Sequence, residues 1–111
     1  MSLSKASILS AEDFQYALVA CPEWGGDIRV RGLSAAEQSI IQKKANEKKT
    51  DDLAVTLCIM ACVDDNGERI FEASDKDALK TKSYSVLERL SKKILELSGN
   101  GVDNIDDTVK N

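Results

Sequence analysis

Residues 21–37 read Cys21-Pro22-Glu23-Trp24-Gly25-Gly26-Asp27-Ile28-Arg29-Val30-Arg31-Gly32-Leu33-Ser34-Ala35-Ala36-Glu37. This stretch holds the only proline of the chain and an adjacent glycine pair. Proline fixes φ and glycine supplies the positive φ that a reversing chain needs, so a turn is expected here. Ile28-Arg29-Val30-Arg31 then alternates apolar with charged residues, the pattern of a half-buried strand with its arginines in water. Upstream, Phe14, Tyr16, Leu18 and Ala20 fall on one face of a β-compatible segment, with Gln15, Ala17 and Val19 on the other. Together the two segments predict a β-hairpin over about 14–31, its turn longer than two residues. Downstream, Ser34-Ala35-Ala36-Glu37 is a capping box: the serine side chain accepts from the amide three residues on, and Glu37 reaches back to the Ser34 amide.

From that cap a helix is expected over about 35–49, through Ile40, Ile41 and Ala45 to Lys43, Lys44, Lys48 and Lys49. Acid at its start and base at its end complement the helix dipole. Thr50, Asp51 and Asp52 offer a second cap, and Leu53–Val63 is apolar nearly all round, as a central buried helix would be. That helix is placed at about 51–63. The Asn66-Gly67 pair also suits a hairpin between Ile59–Val63 and Arg69–Phe71; the length of the apolar run favours the helix. Ser74 with Asp77 signals a short helix over about 75–82. In the last helix, 84–98, Leu87, Leu90, Ile94 and Leu97 repeat at three-and-four spacing before Gly99, a residue suited to a helix stop. The expected class is α+β, mainly α: an N-terminal hairpin followed by a small bundle of three to four helices. One globular domain spans 1–98, and 99–111, with Val102, Ile105 and Val109 scattered among Asp, Asn and Gly, reads as a flexible acidic tail.

The 111-residue length suits one domain. The chain has 15 basic and 19 acidic residues, a net charge of −4, and no histidine. The charge balance argues against a nucleic-acid surface, and the missing imidazole excludes histidine triads, imidazole–zinc sites and histidine-ligated haem. Cys21, Cys58 and Cys62 are too few for a disulfide framework. Residues 1–10 hold one lysine and no apolar stretch of signal-peptide length. The run Leu53–Val63 is about half of a membrane span. A soluble, reducing compartment is expected.

No constellation reads as an active site. Cys58 and Cys62 share a helix face, but the spacing is wrong for a Cys-x-x-Cys pair and a zinc site would lack ligands; they read as core. Asp64-Asp65-Asn66-Gly67-Glu68 resembles part of a calcium loop, yet Cys62 and Ala73 stand at its two obligatory acidic positions. The glycines at 25, 26 and 32 fit no phosphate-binding spacing. Lys43, Lys44, Lys48 and Lys49 form a solvated basic face in which Glu47 can pair with Lys43. No cofactor is expected. Trp24 reads either as a lid over the hairpin or as an interface anchor, where tryptophan is enriched.

The Pro-Glu-Trp-Gly-Gly turn, the alternating Val/Arg strand and the helix opening Leu-Ser-x-x-Glu resemble the tail assembly chaperones of long-tailed bacteriophages. The likeness runs from about Ile8 to Ser98 and includes the Asp-Asn-Gly turn and the final amphipathic helix. It implies a non-enzymatic protein, in a short form without a frameshift, that binds the tape measure protein and keeps it soluble. A longer frameshift form would recruit the tail tube protein. It also implies residence in the host cell cytoplasm and absence from the mature virion; self-association is compatible with that role, and neither nucleic acid nor membrane is involved. The expected partner contact is Trp24 with the strand carrying Ile28 and Val30. A tail-completion or head–tail connector protein is the alternative, and a metal or thiol-redox module a remoter one.

Overall fold

The computed structural model describes residues 2–99. Its centre is a three-stranded antiparallel sheet in the order β1 (Tyr16–Cys21), β2 (Gly26–Arg31), β3 (Cys62–Val63). β1 and β2 form the expected hairpin, with Tyr16 opposite Arg31 and Cys21 opposite Gly26. The reversal is a single 3-10 turn, Pro22–Trp24, closed by Gly25 at φ 87°. Proline at the first turn position and glycine in the left-handed region do what the sequence requires of them. The helices are α1 (Lys5–Ser10), α2 (Ala35–Asn46), α3 (Leu53–Ala61), α4 (Lys76–Leu79) and α5 (Tyr84–Leu97). The architecture is therefore α+β and mainly helical.

The core lies between one face of the sheet and helices α3 and α5. Val19, Cys21 and Val30 from the hairpin meet Leu57, Cys58 and Ala61 from α3 and Val86, Leu90 and Ile94 from α5. Gly32 lets the end of β2 touch the end of α5: a Cβ there would sit 2.8 Å from the Leu97 carbonyl oxygen. The Leu33 amide donates to Ser98 Oγ at 2.8 Å across the same junction.

Several sequence expectations are corrected. Arg31 is not in water but 8% exposed. Its guanidinium bonds both oxygens of Glu37 (2.8 and 2.9 Å) and the carbonyls of Gly32 and Met60. Phe14 stacks beneath it at 4.5 Å. The helix placed at 51–63 ends at Ala61, because Cys62 and Val63 pair with the otherwise open edge of β2. Val63 then bridges to Arg69 around the Asp64–Gly67 turn. Helix and hairpin thus both occur, in succession. Asp52 does stand at the start of α3, but its side chain makes no cap bond and instead holds Lys44 and Lys76.

Helix α2 stops at Asn46, three residues short of 49, where Lys48 adopts φ 59°. Glu47, now beyond the helix, pairs with Lys49 rather than Lys43. The short helix expected at 75–82 is a 3-10 turn, Ala73–Asp75, running into α4. It is entered by an Asp75 carboxylate accepting from the Glu72 amide, not by Ser74 and Asp77. Helix α1 was not foreseen; Ser4 caps it by accepting from Ser7 N at 3.1 Å. The tail expected at 99–111 lies, from residue 100 on, outside the described residues.

Candidate functional site: two surfaces flanking the last helix

Helix α5 presents three faces, set by a turn of 3.6 residues. Val86, Leu90 and Ile94 are fully buried and face the core. Tyr84, Leu87, Glu88, Ser91 and Leu95 form a second stripe, and Arg89, Lys92, Lys93 and Glu96 a third. Each of the two outer stripes lines a concave surface.

The larger is a cleft of about 650 Å³ between the α5 stripe and the start of α3. Leu53, Ala54, Leu57, Leu87 and Leu95 give it an apolar floor, and Tyr84, 67% exposed, stands at its mouth. Ser91 Oγ closes the floor by donating to the Leu87 carbonyl at 2.8 Å, with the Ala54 carbonyl 3.3 Å away. Asp51, Asp52, Lys80, Lys82 and Glu88 supply a charged rim. Asp52 is pinned there by its two lysines, and the hydrogen bond from Lys76 holds its carboxyl below the usual range. An apolar floor with polar groups around it is the usual build of a binding cleft, though the charged rim here is denser than usual.

The second surface is a shallow groove of about 310 Å³ where β1 meets the Arg89–Glu96 stripe. Leu18, 65% exposed, lies at its margin. Arg89 grips both oxygens of Glu23 (2.9 and 2.7 Å) and the Ala20 carbonyl (3.0 Å), locking the hairpin turn to α5. That guanidinium hydrogen bond draws the Glu23 carboxyl down to about 2.

Of the residues expected to meet a partner, Trp24 and Ile28 are half-buried and pack against the core. Val30 is 0% exposed, a core side chain with no surface to offer. β2 is also flanked on both sides, by β1 and β3, so among the described residues the open margin of the hairpin is β1. The sequence does not single out the cleft residues or Leu18. The available signal is Tyr84, an aromatic heading an amphipathic helix; the run from Leu53, apolar nearly all round, marks no exposed face.

The carboxylates displaced from their ordinary range are all displaced downward. Glu37 titrates near 2: burial opposes its charge, but Arg31, the Ser34 amide and Arg69 together prevail. None of Glu23, Glu37 and Asp52 is thereby poised to trade protons near neutrality. The three cysteines are free and buried. A hydrogen bond with Cys58, then burial, pushes the Cys62 thiol up, the reverse of an activated thiolate. Among the described residues no cluster of three or more His, Cys, Asp or Glu is placed to hold a metal ion. No described helix is long and apolar enough to cross a membrane.

Comparison with known proteins agrees with this architecture. The fold is similar to that in the "Structure of bacteriophage HK97 tail assembly chaperone", with a TM-score of 0.65. Identity is 22%, and the match covers 86% of this chain and 94% of that one. No curated protein matches the sequence significantly. A family model described as "Phage tail assembly chaperone" matches residues 2–111. The chain belongs to the phage tail assembly chaperone family.

Proposed function

We propose that this tail assembly chaperone works without catalysis, by binding the tape measure protein in the host cell cytoplasm and keeping it soluble until the tube forms around it. The observation that carries the reading is the α3/α5 cleft of about 650 Å³, whose apolar floor offers a place for the hydrophobic stripe of a partner helix. A long helical polymer with such stripes aggregates unless they are covered, and a small acidic protein covering them lends it solubility. In this reading a longer frameshift form carries the tail tube protein to the same complex, and the chaperone leaves before the virion is complete.

The test is co-expression of this chain with the tape measure protein encoded beside it. Soluble partner with the wild-type chain, and precipitated partner with Ala54→Arg or Tyr84→Ala, is the expected result. Arginine at 54 projects from a half-buried position at the margin of the core into the cleft, and alanine at 84 removes the cleft's exposed aromatic wall with no core packing lost. Insoluble partner in the presence of the wild-type chain, or this polypeptide in purified tails, would overturn the reading.

A further inference from the structure

A second contact surface, different in kind, lies on the other side of α5. The Gly32 amide donates to the Gln15 carbonyl at 3.1 Å, which fixes the phase of the β1–β2 ladder. In an antiparallel pair, alternate residues turn their backbone groups toward the partner strand. Gln15, Ala17, Val19 and Cys21 therefore face β2, while Tyr16, Leu18 and Ala20 turn theirs outward. The Ala20 carbonyl is taken by Arg89, in agreement with that phase. Among the described residues the N–H and C=O of Tyr16 and Leu18 and the N–H of Ala20 meet no partner and form an open edge. Natural proteins usually blunt such an edge with proline, a bulge, charged side chains or a covering segment; among the described residues only charged side chains of α5 adjoin it, with Arg89 on the Ala20 carbonyl.

The surroundings of the edge define its ligand. Above it stands the exposed Leu18 beside Tyr16, whose ring carries the Arg29 guanidinium at 4.6 Å. Beneath it run Arg89, Lys92, Lys93 and Glu96. Arg89 is committed to Glu23 and Lys93 to Glu96, whereas Lys92 has no ion pair among the described residues. A second copy docking β1 against β1 would bring two such cationic stripes together, at a repulsive cost.

We propose that the β1 edge, with the cationic stripe of α5, captures an extended segment of alternating apolar and acidic residues from a partner protein by adding it as a fourth strand. Main-chain hydrogen bonds supply the affinity. Apolar residues of the segment lie over Leu18, and its carboxylates turn down toward Lys92. From the reading above this takes only that the partner is a tail protein; the edge itself does not depend on the cleft.

The probe is a capped Val-Glu repeat peptide of about ten residues, long enough to span a strand, with a Val-Lys repeat as control. The Val-Glu peptide shifts the amide resonances of Tyr16, Leu18 and Ala20 and slows their exchange with solvent. Leu18→Pro removes an outward donor, leaves the β1–β2 ladder intact and abolishes binding. Lys92→Glu combined with Lys93→Glu weakens binding about tenfold, as does raising salt to about 0.5 M. Equal binding of the Val-Lys peptide would overturn the proposal, as would shifts confined to the α3/α5 cleft. So would peptide-free protection of Leu18 that grows with protein concentration, which marks a second copy, or binding seen only after removal of residues 100–111, which marks the chain's own segment. In co-expression, loss of soluble tape measure protein with Ala54→Arg alone overturns the edge as a site for that protein. Loss with Leu18→Pro alone overturns the cleft and keeps the edge.

Discussion

Glu37 concentrates more of the fold than any other polar residue. Its carboxylate accepts from the Ser34 amide, from both arms of Arg31 and from Arg69 at 2.6 Å, joining β2, α2 and the β3 turn. A buried ion pair adds little net stability while intact, but removing one partner strands the other. Glu37→Gln is therefore expected to cost about 2–4 kcal/mol, read from urea unfolding at neutral pH. The pH dependence follows from the same site. Glu37 titrates near 2 when folded, against an ordinary 4.5. Its contribution is complete above the unfolded value and lost as pH falls through that window. The stability gap between wild type and Glu37→Gln should accordingly narrow between pH 4.5 and 2; a constant gap would count against the assignment. The capping half of this role is legible from Ser34 and Glu37 alone. The ionic half is not, since Arg69 lies far along the chain and alternation by itself puts Arg31 in water.

At the scale of elements, sequence period and tertiary demand compete at the end of α3. Leu53–Val63 is uniformly apolar, so nothing in its pattern marks where helix gives way to strand. The break at Cys62 is imposed by β2, whose second edge needs a partner, and by the Asp64–Gly67 turn that follows. Asp64 Oδ1 accepts from the Asn66 and Glu68 amides, and Gly67 takes φ 82°. Gly67→Ala forces a side chain into that left-handed position, with its Cβ 3.4 Å from the Tyr16 hydroxyl. A loss of about 1–2 kcal/mol is expected, with the Cys62, Val63 and Ile70 amides losing exchange protection first. Helix α5 was legible throughout because its period is clean: Leu87, Leu90 and Ile94 are buried as their spacing requires. What spacing could not show is which outer stripe would adjoin a cleft and which a strand edge. Leu90→Ala, at 0% exposure, should cost about 3–5 kcal/mol and leave the Leu18 edge in place in the folded fraction.

For the molecule as a whole, the informative quantity is the apolar surface that folding leaves outside. Leu3, just ahead of α1, and Ile8 and Leu9, on it, are 74%, 55% and 77% exposed, and no residue of that helix is buried. Six residues are too few to hold a helix in water by propensity alone; among the described residues the Ser4 cap, hydroxyl bonds linking Ser4, Ser7 and Ser10, and a local ladder support it. Nothing in the sequence marks the segment as a helix, because its apolar residues are too sparse for a core-facing period. Deleting residues 2–11 should therefore leave the thermal midpoint within about 2 °C of the full chain, since almost no buried surface is lost. Phe14, which stacks on Arg31, must be retained for that comparison to be fair. If Leu3, Ile8 and Leu9 add to the partner contact, the same deletion lowers the yield of soluble tape measure protein in co-expression while the fold stays unchanged. A midpoint that falls by several degrees would instead place α1 among the elements that hold the fold together.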